Sequence, residues 1–310
     1  MRSNLKKPLI LFIKILIGIL SFWIIYNRLT HIPHLKEQFY IWFSEPKMYS
    51  VIGLVLLLMP LNWGIESYKW KTITHKVEKI TYSTALKSIF SGICVGNLAP
   101  GRAMEFLAKI FFFKPENRPT VTVLHFINGM FQMLITVTVG MISVAAKLHQ
   151  TNDASNFIYY IIAGGGLMIM FFCWAILNVA FIQKKLAFIK WFKVHETKNI
   201  QFSRRLIVQL ISLSILRYLV FTAQFYILFH ALSPQNNLPD TFMSIAAYFM
   251  LTSLIPMVSF IEPAIRAAIA LFVFNNTGDN TVIVVLSSTF VWIINVVIPS
   301  LIGNLFFLLK

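Results

Sequence analysis

Of 310 residues, 57% are hydrophobic, 15% aromatic and only 12% charged, at a mean hydropathy of +0.73. So apolar a composition excludes an ordinary water-soluble enzyme, because about 20 apolar residues cross a bilayer and such runs follow one another here. The net charge of +16 reads first as a signal of membrane orientation rather than of nucleic-acid binding, and Cys94 and Cys173, both in apolar segments, offer neither a disulfide framework nor a cysteine metal site.

The chain opens on a basic stretch and an apolar run that Lys14 interrupts. No small-residue cleavage site follows, so this is expected to be an uncleaved first helix. Hydropathy then places full spans over residues 8–26, 48–66, 120–147, 157–183, 206–231 and 281–309. Two further apolar regions, 83–113 and 240–274, are each about one and a half spans long and are broken midway, by Pro100-Gly101 and by Pro256. Each fits two half-length helices. The expected fold is therefore all-α: a polytopic membrane helix bundle of about six full spans plus two broken re-entrant helical hairpins, forming a single integral membrane domain over residues 1–310.

Basic residues gather on the cytoplasmic side of membrane proteins. With the N-terminus cytoplasmic, seventeen Lys and Arg fall in cytoplasmic connectors, Lys69, Lys71, Lys76 and Lys79 among them, against Arg28, Lys36 and Lys47 on the other side. That parity makes the chain enter the first broken region from the cytoplasm and the second from outside, the arrangement of an inverted-topology pair. The two regions share a short pattern: Leu98-Ala99-Pro100 precedes Glu105 and Lys109, and Leu254-Ile255-Pro256 precedes Glu262 and Arg266.

Arg102, Glu105, Lys109, Arg217, Glu262 and Arg266 all fall where hydropathy puts membrane. A charge at a helix centre costs about 2.5–3.5 kcal/mol on insertion scales, so these residues should face protein or a watery cavity. A spacing of four puts Glu105 with Lys109, and Glu262 with Arg266, on one helical face, where each base can neutralise its acid. Arg102 follows Gly101 at the start of a half-helix, where free N–H groups already favour an anion, so a cation there calls for a bound anion such as a phosphate. Arg217, mid-span with Tyr218 and Gln224 near it, reads either as a cavity charge or as the partner of an acid elsewhere.

Other features carry less chemistry. Gly92 and Gly96 have the small-xxx-small spacing of close helix packing, and Gly164 to Gly166 read the same way. The segment 184–193 mixes four lysines with aromatic and aliphatic residues, as a basic interfacial helix does. His31 and His34 flank Pro33 without an accompanying acid pattern, and His125 stands alone in a span. There is no nucleophile elbow and no phosphate-binding loop. No catalytic residue, metal site or cofactor is expected.

The stretch from Ser91 to Glu105, with Asn97, Pro100, Gly101, Arg102 and Glu105, resembles the Asn-x-x-Pro-Gly-Arg-x-x-Glu signature of the lysylphosphatidylglycerol synthase transmembrane family of flippase-like membrane proteins. Pro256 to Arg266 is similar to that family's second proline motif, although Met257 to Ile261 stand where a glycine-rich run is usual. The resemblance implies a multi-pass protein of the bacterial cytoplasmic (inner) membrane that moves anionic phospholipids or lipid-linked anions between leaflets. It implies substrate-binding roles for Asn97, Arg102, Glu105, Lys109, Arg217, Glu262 and Arg266. Members that aminoacylate phosphatidylglycerol carry a soluble domain after the membrane part, so that activity is not expected of a chain that ends at Lys310, directly after a span. The expected partners are anionic lipid head groups, the membrane, and either further copies of the chain or an envelope-synthesis protein. An intramembrane lipid-modifying transferase and a non-transporting scaffold for cell-envelope synthesis are the alternatives.

Overall fold

The computed structural model describes residues 44–97, 102, 104–150, 156–186, 201–234, 237–257, 261–274 and 281–308. The first expected span, the Pro100-Gly101 break itself, the two N-terminal histidines and residues 187–193 of the basic segment lie outside them.

All regular structure among the described residues is helical. In chain order the helices are α1 (Pro46–Thr74), α2 (Tyr82–Gly96), α3 (Glu105–Ile110), α4 (Arg118–Gln150), α5 (Asn156–Leu177), α6 (Val179–Leu186), α7 (Arg204–Leu232), α8 (Leu238–Leu254), α9 (Glu262–Val273), α10 (Thr281–Trp292) and α11 (Ile298–Leu308). Four helical stretches, Pro46–Thr74, Pro115–His149, Arg204–Leu232 and Thr281–Phe306, are long and apolar enough to cross a membrane. The chain is a membrane protein.

Local chemistry sets the boundaries. Thr81 caps α2 by accepting from the Thr84 amide, and Ser203 caps α7 by accepting from Leu206. Pro239 and Pro263 stand in the first turns of α8 and α9, where a missing N–H costs nothing. Asn178 separates α5 from α6 inside the expected span 157–183, its side chain donating to the Trp174 carbonyl at 2.8 Å. Between α10 and α11 the helix widens into a π-turn over Ile293–Val297. Pro299 has no N–H to give to the Asn295 carbonyl, which accounts for the loosened turn.

The packing repeats itself. α1 packs on α7; α1 contacts α2 as α7 contacts α8; α2 lies along α3 as α8 along α9; and α3 meets α4 as α9 meets α10. Across the centre, α8 packs on α4 and α2 on α11. Exchanging α1–α4 with α7–α11 thus leaves the pattern of contacts unchanged. Small residues make the two central contacts close: a side chain at Gly140 would strike Met250 of α8, and one at Gly303 would strike the Phe90 backbone of α2.

The two ends of the bundle are also defined by contacts. Lys76, just past α1, donates to the Gln201 carbonyl ahead of α7 at 2.8 Å, and Glu78 accepts from Asn117 ahead of α4 at 2.8 Å. At the other end, Lys147 of α4 donates to Ser244 of α8 at 2.6 Å. Consequently α2 starts from the end that holds Lys76 and α8 from the opposite end.

One expectation is corrected. Lys69 was placed in a connector after a span ending at residue 66, but α1 continues to Thr74 and Lys69 is fully buried within it, at 0% exposure. Its charge and that of Lys71 lower local hydropathy and mimic a span's end, whereas a buried partner keeps the helix inside the bundle.

Candidate anion-binding cavity

α1 and α7, lying side by side, bring Arg217 against one face of α1. The Arg217 Nε donates to Asn62 Oδ1 at 3.1 Å, its guanidinium lies 4.9 Å from the Trp63 ring centre, and Nη1 is 3.3 Å from Glu66 Oε2. Lys69 Nζ reaches the same carboxylate oxygen at 3.1 Å and donates to Ser214 at 3.3 Å. Asn128 of α4 donates to the other Glu66 oxygen at 2.7 Å. One buried carboxylate is thus shared by two cations. From Asn62 the polar contacts continue: its amide donates to Asn295 at 2.8 Å, Asn295 to Gln224 at 3.0 Å, and Gln224 to the Val55 carbonyl at 3.0 Å, five residues before Pro60. The π-turn carries Asn295 into this chain.

α3 is short and held by its acid and base. Glu105 Oε1 lies 2.6 Å from Lys109 Nζ, and the pair packs on the glycine face of α2. A Cβ at Gly92 would come 2.8 Å from Lys109 Cε, and one at Gly96 would come 3.0 Å from Glu105 Cβ. Lys109 Nζ also sits 5.4 Å from the Trp70 ring centre and 3.4 Å from His125 Nδ1. In α9, Glu262 Oε1 accepts from Arg266 Nε at 2.8 Å.

Arg102, Arg217 and Arg266 converge on one cavity of about 210 Å³, together with Asn62, Gln132, Thr252 and Asn295. Among the described residues no carboxylate lines it. A second opening, of about 370 Å³, shares Arg102, Thr252, Ser253 and Arg266 with the first and extends past Pro256 and Met257 to Glu262. Arg102 holds a left-handed backbone at φ 56°, which costs a non-glycine residue about 1–2 kcal/mol. Its Nη2 and the indole N–H of Trp63 are buried donors with no acceptor among the described residues.

The seven residues expected in the site therefore divide. Arg102, Arg217 and Arg266 meet at the cavity, and Glu262 borders its opening. Glu105 and Lys109 pair with each other against α2 and line neither space, while Asn97 ends α2, its amide donating to the Ile93 carbonyl at 3.1 Å. Arg217 fulfils both alternatives open to it, as a cavity charge and as the partner of a distant acid. Sequence reasoning missed Glu66, Lys69, Asn62, Gln132 and Asn295. A signal for three of them existed: Asn62, Glu66 and Lys69 recur at spacings of four and three, one polar face on an otherwise apolar helix.

A separate recess of about 410 Å³ lies at the Lys76 end, lined by Lys71, His75, Lys76 and Arg205. Among the described residues no group of three His, Cys, Asp or Glu side chains is placed to hold a metal ion. Comparison with protein-family models and with curated protein sequences returns no match for this chain.

Proposed function

We propose that this protein is a flippase-like translocator that carries an anionic phospholipid or lipid-linked anion across the bacterial cytoplasmic membrane. The observation that carries this reading is the convergence of Arg102, Arg217 and Arg266 on a cavity that no carboxylate among the described residues lines. Guanidinium groups present planar forks that match phosphate oxygens, and inside a membrane protein cations gathered at a cavity mark a substrate path. The repeated packing pattern supports an inverted pair of re-entrant hairpins, α2–α3 and α8–α9, because the two start from opposite ends of the bundle and carry Arg102 and Arg266 to one place. The bundle would sit with its Lys76 end in the cytoplasm, as the collection of Lys71, Lys76, Arg204 and Arg205 there supports.

In this mechanism the cavity arginines draw the phosphate out of one leaflet, Trp63 and the amides of Asn62 and Gln132 replace its water, and the acyl chains stay in lipid. Rocking of one repeat against the other then exposes the cavity to the opposite leaflet. The test is a flip assay in phosphatidylcholine vesicles that hold this protein alone, with dithionite bleaching of chain-labelled phosphatidylglycerol and, separately, of chain-labelled phosphatidic acid, acceleration of either counting as translocation. Faster bleaching of the inner-leaflet label than in protein-free vesicles is expected, together with its loss in Arg102→Ala. Equal rates in all three preparations would refute translocation.

A further inference from the structure

The charges around the cavity do not balance. Behind the cavity wall Lys69 and Arg217 share Glu66 and Lys109 pairs with Glu105, while Arg102 and Arg266 stand at the cavity with Glu262 at its opening; the neighbourhood is continuous, since Lys109 acts on Glu66 and Arg102 acts on both Glu105 and Glu262. The carboxylates are spoken for: Glu66 is shared by Lys69 and Arg217, Glu105 holds Lys109, and Glu262 holds Arg266. Among the described residues five cations against three carboxylates leave a surplus of two. In a low-dielectric interior an uncompensated charge is costly, so the ligand that best fits this cavity brings two negative charges.

Resting on the translocator reading, we propose that the cavity selects a phosphomonoester head group over a phosphodiester one. A phosphomonoester carries about −1.5 to −2 charges at neutral pH and ends in three acceptor oxygens. It can face each of Arg102, Arg217 and Arg266 with one oxygen, and the two buried donors, Arg102 Nη2 and the Trp63 indole, gain acceptors as well. A phosphodiester has one charge and two free oxygens, which leaves one arginine without a phosphate oxygen and half of the surplus charge uncompensated. The cavity of about 210 Å³ is of a size for a head group rather than for two acyl chains.

The experiment uses the purified full chain in a non-ionic detergent and reads binding by thermal shift. The probes are dihexanoyl phosphatidic acid, dihexanoyl phosphatidylglycerol and inorganic phosphate. One further charge-assisted hydrogen bond corresponds to about tenfold in affinity, so phosphatidic acid is expected to bind at least about tenfold tighter than phosphatidylglycerol. Arg102→Ala should abolish that preference, and Arg102→Gly, which suits the φ of 56°, serves if the alanine variant does not fold. Equal affinities, or tighter binding of phosphatidylglycerol, overturn the inference while leaving translocation standing. Inorganic phosphate binding as tightly as phosphatidic acid supports the dianion but removes the lipid, and so counts against the translocator reading instead. A preference that survives both Arg102 variants places selection elsewhere and overturns the assignment to this cavity.

Discussion

Glu66→Gln perturbs the charge cluster at the residue on which most of it depends. Glu66 is 6% exposed, accepts from Asn128, and lies within 3.3 Å of two cations, one of them the fully buried Lys69. Glutamine keeps the shape and an acceptor for Lys69 but leaves Lys69 and Arg217 facing each other without an anion. Breaking a buried pair by removing one member costs about 3–5 kcal/mol, because the remaining charge stays desolvated. At about 2 °C per kcal/mol for a large domain, the apparent melting temperature in detergent should fall by roughly 6–10 °C. The double variant Glu66→Gln with Lys69→Met removes one charge of each sign and should recover at least about 1 kcal/mol beyond additivity. A fall of less than about 2 °C in the single variant, or strict additivity in the pair, would refute the claim that this carboxylate neutralises both cations.

Arg102→Gly should leave stability unchanged or raise it by about 1 kcal/mol, since it relieves the left-handed backbone at φ 56°, and should abolish lipid flipping; a clear loss of thermal stability would make the arginine structural. Gly92→Ala places a Cβ 2.8 Å from Lys109 Cε and should cost about 1–3 kcal/mol in thermal unfolding, whereas Gly129→Ala, with nothing within 4 Å in mid-helix, should be neutral or stabilising. Single cysteines at the exposed positions Lys76 and Gln201 should react with an impermeant maleimide from one side of the membrane, and one at Asn237 from the other; labelling of all three from one side contradicts the arrangement of ends.

The helical class and the end of α8 were legible because hydropathy and proline act locally: α4, α7 and the α10–α11 stretch fall within three residues of the expected spans, and Pro256 follows α8. The pairing of acid and base four residues apart was legible for the same reason, and both pairs form. What reading along the chain could not supply was distance. Arg217 finds Glu66 and Asn62 from a helix that begins 130 residues after α1 ends, and Asn295 enters the site through a widened turn whose position depends on Pro299. Glu105 and Lys109 looked equivalent to Glu262 and Arg266 in sequence, yet Gly92 and Gly96 let α2 approach so closely that the first pair is sealed off from the cavity the second pair borders.

The most direct test of the account is an experimental structure of the protein with a short-chain anionic phospholipid, read for the position of the phosphorus atom. The account places it in the 210 Å³ cavity, within hydrogen-bonding reach of Arg102, Arg217 and Arg266. A phosphate bound instead at the recess of Lys71, His75, Lys76 and Arg205, with the arginine cavity filled by protein side chains, would contradict it.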